Sequence, residues 1–353
     1  MSGLRGSGRS PIGIDPAGRF VNAVQLSRTG NRWRVEAAAS IPRPDSELPV
    51  DVEELAWLEG VLSRQGFRGR DVVLAMPSER LLTAVVDLPS RAAAASVAQI
   101  ARAELAAAHK CDPQSLELAC WHLPERARAN SSGRVLAVGC RQDEASRLVD
   151  IFEAVGMRVG AIDIPSWAIA RACTPFLGGP APSVALLNMG WQAAAIVIVC
   201  AEVVVYERAL TEHGLNRLYL AVADQHELDN DVTDHIVSEI GISSDLPQDQ
   251  AQSDLLKLVR GDIINYLDNL ASEVRLSVSY GSQEYADGAV ARLIIHGEGA
   301  SMPGVAAYLS SRLDMKVRTV APTHVADCSP SLSEICGLPV LSTALGLAQH
   351  PEK

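Results

Sequence analysis

Cysteine, histidine and serine often do chemistry in proteins, but here they lack the spacings that enzymes and metal centres use. None of the eight histidines forms an HExxH pair, which would bind zinc, and no GxSxG sequence offers an activated serine. No two of the seven cysteines are spaced CxxC, so zinc or dithiol chemistry is not indicated. We interpret the cysteines as buried thiols in a reducing compartment and expect no catalytic residue of these types.

Carboxylates are the other group that could do chemistry, and six of them stand close together in the middle of the chain. Their spacing matches no calcium-binding loop, so we interpret the stretch as the solvated surface of a helical subdomain. The formal net charge of −11 gives a surface that repels phosphate backbones, so nucleic acid is not expected as a partner. The six residues are Asp224, Glu227, Asp229, Asp231, Asp234 and Glu239.

The elements that would position any site repeat along the chain. Three short apolar runs between residues 12 and 39 predict a β-meander, and a helix and a strand follow by residue 76. After a turn-rich joint at 177–182, three apolar runs between residues 184 and 208 repeat the meander. The two halves resemble copies of each other, so the sequence predicts an α/β protein with two lobes.

Two further segments complete the predicted architecture. Residues 81–162 alternate in the order βαββαβ and predict an insert in the first lobe, with a polar loop at 125–133. A helical pattern from residue 253 to about residue 280 predicts one long axial helix. The predicted units are a first lobe at 11–80 plus 163–180, the insert at 81–162, a second lobe at 181–210 plus 281–350, and a helical, acidic subdomain at 211–280.

Four motifs resemble the family of the type IV pilus assembly protein PilM, and the likeness runs over nearly the whole chain. They are residues 13–15 (GID), 161–168 (AIDIPSWA), 270–277 (LASEVRLS) and 297–305 (GEGASMPGV). The resemblance implies the two-lobed actin-like ATPase fold, and the βαββαβ insert resembles a subdomain shared with the cell-division protein FtsA. FtsA-like proteins end in an amphipathic membrane helix, and no such helix is expected here, so we expect no direct insertion into a membrane.

The resemblance also implies a nucleotide pocket between the lobes, where the family's fold holds ATP and Mg²⁺. Asp15 would be the metal candidate. Four departures fall on this pocket: Pro16 removes an N–H, Asn188 replaces an acidic residue, Trp191 replaces a small one and Leu276 replaces a basic one. We therefore expect a degenerate pocket that binds ATP and Mg²⁺ weakly or not at all, and no useful ATPase activity. The implied pocket residues are Asp15, Gly18, Arg19, Gly190, Glu273, Gly297 and Gly299.

For function, the resemblance implies a scaffold of type IV pilus assembly. Such a protein is cytoplasmic and is held at the inner membrane by a partner. It docks the cytoplasmic tail of a PilN-like inner-membrane protein in a groove between the first lobe and the insert, and links that protein to the pilus motor ATPases. Two alternatives stay open: a slow Mg-ATPase whose nucleotide state gates these contacts, and an actin-like component of a type II secretion system.

Overall fold

The computed structural model describes residues 8–16, 18–44, 49–89, 94–124, 133–177, 183–242, 250–284 and 290–351. Most of the predicted loop at 125–133 and of the joint at 177–182 lies outside these residues. The strands are β1 (Ile12–Asp15), β2 (Phe20–Thr29), β3 (Arg32–Pro42), β4 (Asp71–Ala75), β5 (Leu82–Asp87), β6 (Leu116–His122), β7 (Arg134–Arg141), β8 (Arg158–Asp163), β9 (Val184–Met189), β10 (Ala194–Cys200), β11 (Val203–Leu210), β12 (Arg292–His296) and β13 (Lys316–Thr319).

The α-helices alternate with these strands. They are α1 (Val52–Leu55), α2 (Leu58–Arg64), α3 (Ala94–His109), α4 (Gln142–Ala154), α5 (Pro165–Ala172), α6 (Thr174–Leu177), α7 (Leu215–His226), α8 (Asn230–His235), α9 (Gln250–Glu284), α10 (Val305–Leu313), α11 (Ser333–Cys336) and α12 (Ser342–Ala348). The long helix predicted at 253–280 is confirmed as α9. Its buried stripe includes Val259, Ile263, Leu270 and Val274, which recur at the spacing of one helix face.

Two five-stranded sheets share one topology. The first has the order β3-β2-β1-β4-β8 and the second the order β11-β10-β9-β12-β13. In each, an antiparallel meander is followed by two strands that run parallel to its first strand. Side chains at Val184, Ala185 and Leu186 are all buried in β9, as expected for a strand covered on both faces. The predicted duplication is therefore present, and each sheet defines one lobe.

The insert differs from the prediction in its extent. The order of elements over residues 81–162 is the predicted one, but the third sheet contains only β5, β7 and β6. Strand β8 pairs in parallel with β4, with Asp71 opposite Arg158, so it belongs to the first sheet. The reason is that α4 carries the chain back to the first sheet as a crossover, which a parallel pair requires.

Helix α12 also differs from the predicted grouping, which placed residues 281–350 in the second lobe. It packs against α5 and against β1 of the first sheet. Small residues permit this close approach: a Cβ added to Gly13 of β1 would overlap the backbone of Ala344 and Ala348 in α12. The first lobe is therefore completed by residues from the far end of the sequence.

The insert also contacts the second lobe. Trp121 of β6 donates a hydrogen bond from Nε1 to the Val204 carbonyl oxygen at 2.8 Å, and its ring meets Trp167 edge to face with centroids 4.9 Å apart. Arg134 and Glu284 pair at 3.3 Å.

Within the described residues, no single helix is both long and apolar enough to cross a membrane. The segments Pro330–Cys336 and Pro339–Ala348 reach the required length and apolar composition only when taken together, and they are bent by 88° relative to each other.

Candidate functional site: the cleft between the lobes

Four of the predicted pocket residues meet at one small cavity between the two sheets. Asp15 ends strand β1, Gly18 lies in the β1–β2 turn, Gly190 in the β9–β10 turn and Gly297 in the turn after β12. The backbone of Gly18 has φ +85° and that of Gly297 also has φ +85°, a conformation that favours glycine. The cavity has a volume of about 60 Å³. Sites for small molecules usually enclose about 300–1,000 Å³.

The other three predicted residues do not line this cavity. Glu273 of α9 lies 2.8 Å from Arg208 of β11, measured from carboxylate oxygen to guanidinium nitrogen. Gly299 is buried, and a Cβ added to it would lie 3.0 Å from the Cβ of Met189, so it serves close packing. Arg19 lies beside the cavity and binds protein groups instead of facing the space.

Arg19 joins the first lobe to several elements of the second. Its Nε donates a hydrogen bond to Oε1 of Glu298, in the turn after β12, and its Nη1 donates to Oδ1 of Asp234 in α8 at 2.6 Å. The guanidinium also lies over the rings of Trp191 and Tyr219, at 4.4 and 4.9 Å from their centroids. We call these five residues the interlobe cluster. Because the guanidinium is committed to them, it is not presented to a phosphate.

Within the interlobe cluster, burial and the neighbouring charges shift the pKa values of Arg19 and Glu298 in opposite directions. Burial alone would lower the pKa of Arg19, but Glu298 and Asp234 outweigh it, so the pKa of Arg19 is raised. Burial raises the pKa of Glu298, and the neighbouring Arg19 only partly offsets this. The Arg19 guanidinium stays charged, and it offsets part of the effect of burial, which disfavours the charged form of the Glu298 carboxylate.

The residues around the cavity do not fit a nucleoside triphosphate. Three carboxylates line it, those of Asp15, Glu79 and Glu298, and the described lining contains no lysine or arginine. Trp191 narrows the space from the second lobe, since a Cβ on Gly18 would lie 3.3 Å from its Cβ. Across the part of the chain that the structure describes, no group of three or more His, Cys, Asp or Glu residues could hold a metal ion. A triphosphate would meet repulsion here unless the interlobe cluster opened.

A much larger groove adjoins the small cavity. It encloses about 670 Å³ between the first lobe, helix α4 and the start of the second lobe. Its apolar lining consists of Pro16, Pro49, Val50, Met76, Pro77, Leu148, Ile151 and Ala193. Its charged lining consists of Arg43, Glu79, Arg80, Asp143, Glu144, Arg147 and Arg217. This mixture suits an amphipathic segment better than a compact polar ligand.

The groove and the small cavity share part of their walls. Gly18, Glu79, Gln192 and Ala193 line both. Arg43 supports the shared turn, because its backbone N–H donates to the Arg19 carbonyl oxygen at 2.8 Å and its Nη1 donates to that of Gly18 at 3.3 Å. The interlobe cluster and the groove wall are therefore connected through this turn.

Two members of the interlobe cluster were missed by reasoning from sequence. Asp234 lies in the acidic stretch that the sequence predicts to be solvated, and no sequence motif marks Tyr219. Asp234 is 215 positions from Arg19 in the chain. Spacing along a sequence carries no signal for a pair at that separation.

Comparison with known proteins places this fold. A profile of the type IV pilus assembly protein PilM matches residues 13–350. A chain of a solved PilM–PilN type IV pilus biogenesis complex superimposes with a TM-score of 0.78 at 20% identity, over 96% of this chain and 98% of that chain. The ethanolamine utilization protein EutJ from Carboxydothermus hydrogenoformans gives a TM-score of 0.56 at 13% identity, over 98% and 90% of the two chains. No curated protein matches the sequence.

A nucleotide-bound relative is similar at a greater distance. MreB5 of Spiroplasma citri, solved with AMPPNP, gives a TM-score of 0.50 at 10% identity, over 95% of this chain and 94% of that chain. At such identities these structures establish the fold, which is the two-lobed actin-like α/β fold expected from the sequence. The profile match spans almost the whole sequence, and this chain therefore belongs to the family of the type IV pilus assembly protein PilM.

Proposed function

We propose that this chain is a scaffold of type IV pilus assembly that binds the cytoplasmic tail of a PilN-like inner-membrane protein in the groove described above. The observation that carries the proposal is the groove itself, at about 670 Å³, beside a nucleotide cleft reduced to about 60 Å³. A solved structure similar to this chain is that of a PilM–PilN complex. Of the two spaces described above, only the groove is large enough for a segment of such a partner.

The lining of the groove supports an extended, partly apolar occupant. Met76 and Leu148 are buried and form an apolar floor together with the half-buried Ile151. Arg80 and Glu144 pair at 3.0 Å, and both line the groove. An extended segment gains affinity from main-chain hydrogen bonds and register from apolar pockets.

Two finer statements belong to the same proposal. The partner would hold this chain at the cytoplasmic face of the inner membrane, and the scaffold would link that partner to the pilus motor ATPases. A slow Mg-ATPase is the weaker candidate, because the three carboxylates and Trp191 around the small cavity oppose a bound triphosphate. PilN-, PilO- and PilQ-like genes beside this one would favour a pilus over a type II secretion system.

The direct test is a calorimetric titration with a synthetic peptide of the N-terminal tail of the PilN-like protein from the same organism. Ile151→Glu puts a carboxylate on the apolar floor of the groove and should abolish binding. Val85→Glu is the matched control, since Val85 is 49% exposed on strand β5 and does not line the groove. Failure of the unmodified protein to bind, or equal binding by the Ile151→Glu variant, would remove the proposal.

A deletion of residues 81–162 is not a clean alternative to these variants. It would remove most of strand β8, which is an edge strand of the first sheet. It would also remove α4, which supplies Asp143, Arg147 and Ile151 to the groove. Point substitutions change the groove lining without removing a strand of the first sheet.

A further inference from the structure

We infer that Arg19 is a positioning residue for the groove: it holds the two groove walls at their working separation without contacting the occupant. The inference rests on the proposed function, since it concerns the site that would take the tail. Arg19 itself does not line the groove. Residues beside its contacts do line it, Gly18 on the first wall and Gln192 on the second.

The first wall is tied to Arg19 through the backbone. Pro16 and Gly18 line the groove from the segment between β1 and β2. Gly18 directly precedes Arg19, and Pro16 lies three positions before it. Arg43 also lines the groove and donates hydrogen bonds to the carbonyl oxygens of both Gly18 and Arg19. Arg43 is itself fixed by Glu54, which accepts from its Nε at 2.5 Å and from its Nη2 at 3.1 Å. Arg43 and Glu54 therefore tie the backbone at Gly18 and Arg19 to this wall.

The second wall is tied to Arg19 through Trp191. Gln192 and Ala193 follow Trp191 in the β9–β10 turn and line the groove. Helix α7 holds this turn, because the N–H groups of Leu215 and Asn216 donate to the carbonyl oxygens of Gly190 and Trp191, each at 3.0 Å.

Helix α7 also contributes one residue to the groove lining and another to the contacts of Arg19. Its Arg217 lines the groove, and its Tyr219 stacks on Arg19. Helix α7 therefore links the β9–β10 turn, the groove residue Arg217 and the Arg19 contacts.

The lobes also meet between α5 and β11. There the hydroxyl of Ser166 in α5 donates to Oε2 of Glu207 in β11 at 2.8 Å. Loss of the Arg19 contacts would leave this contact and those of the insert with the second lobe intact, and would remove the link through Arg19 between the β1–β2 and β9–β10 turns. The groove walls that these turns carry could then separate, which should weaken binding of the groove's occupant.

A positioning role also fits the burial of the Arg19–Glu298 pair. Arg19 is 23% exposed and Glu298 is 12% exposed, so the pair is largely removed from water. A desolvated charge pair needs its partners in good geometry, and it specifies one arrangement of the elements that carry them. Here those elements are the two walls of the groove.

The test uses the same peptide titration on the full chain with Arg19→Ala, Arg19→Lys and Arg158→Ala. Arg19→Ala should weaken tail binding by about 5- to 150-fold, the usual range of coupling between sites. Arg19→Lys should give an intermediate affinity, because one ammonium keeps the charge but cannot bind both carboxylates and stack on the rings. Arg158→Ala removes an exposed arginine that pairs with Asp71 and should leave affinity unchanged.

The outcomes separate this inference from the proposed function. If the unmodified protein does not bind the tail, the proposed function fails and the inference fails with it. If it binds and the folded Arg19→Ala protein binds equally well, only the inference is overturned. Should Arg19→Ala not fold, Asp234→Asn and Glu298→Gln decide the matter: reduced affinity in both supports the inference, and unchanged affinity in both overturns it.

Discussion

Gly346 of α12 lies directly on Ala168 of α5, so closely that a Cβ added to Gly346 would overlap the Ala168 carbonyl oxygen. The two helices meet backbone to backbone at this point. Arg171 of α5 reinforces the contact by donating from Nε to the Gly346 carbonyl oxygen at 3.0 Å. The contact joins two segments that are far apart in the sequence, and it fixes α12 on the first lobe.

Gly346→Ala should lower the free energy of unfolding by about 1–3 kcal/mol or more, because the backbone must shift to admit a methyl group. Gly261→Ala is the matched control. Gly261 lies within α9, and a Cβ there would meet nothing within 4 Å. That substitution should raise stability by about 0.5–1 kcal/mol, since alanine favours a helix over glycine. Denaturant unfolding measures both, and equal effects would contradict the backbone contact.

Arg43→Ala should cost about 3–5 kcal/mol of unfolding free energy, because it leaves the buried Glu54 carboxylate without its partner. The side chains of this pair are 4% and 10% exposed. Arg158→Ala breaks an exposed pair with Asp71 and should cost about 0–1 kcal/mol. Comparable losses in urea unfolding for the two variants would show that the Arg43 pair is solvated.

Acid should destabilise the protein through His296, which burial keeps neutral by lowering its pKa to about 3. The unfolded chain has a histidine pKa of about 6.5, so between these values the unfolded state binds one more proton. Stability therefore falls as pH drops from about 6.5 towards 3. His296→Leu should reduce the pH slope of unfolding in that window by nearly one proton. An unchanged slope would mean that His296 is protonated in the folded state.

ATP with Mg²⁺ should raise the melting temperature little, because the small cavity is lined by Asp15, Glu79 and Glu298. A functional site occupied at 100 times its dissociation constant would add about 2.7 kcal/mol. Thermal melting at millimolar ATP measures the difference. A clear rise that disappears in Asp15→Ala would restore the nucleotide site and the slow ATPase.

A tail peptide that carries a positive charge near its apolar residues should associate faster at low salt, because this chain has a net charge of −11. The groove itself is lined by four arginines and three carboxylates, so the attraction would come from the net charge of the whole chain. Stopped-flow association rates at about 0.01 and 0.15 M salt, with a neutral peptide as control, test this. Equal salt dependence for both peptides would argue against electrostatic attraction.

Local patterns in the sequence were enough to predict the repeated meanders, the order of elements in the insert and helix α9. These features follow from the period of apolar residues over short windows, which backbone geometry dictates. Asp15, Gly18, Gly190 and Gly297 were expected together because the family resemblance assigned them to one pocket, and the structure brings them to one cavity.

Features that depend on distant parts of the chain were not predictable in this way. Strand β8 was assigned to the insert because it follows α4 in sequence, whereas its pairing with β4 is a property of the sheet. Arg19 was expected to line the nucleotide pocket, but it binds Glu298, which lies 279 positions away. Glu273 was expected at the pocket and pairs with Arg208 instead.

The packing of α12 on β1 has a consequence for synthesis on the ribosome. The chain emerges at about 5–20 residues per second, so tens of seconds separate Gly13 from the helix that covers it. Until residue 348 is free, Val73 and Ala75 of β4 lack Leu347, their neighbour in one apolar cluster. The lobe that is translated first is thus completed after the lobe that is translated second. A nascent chain would present this uncovered sheet face to chaperones or to other nascent chains throughout that interval.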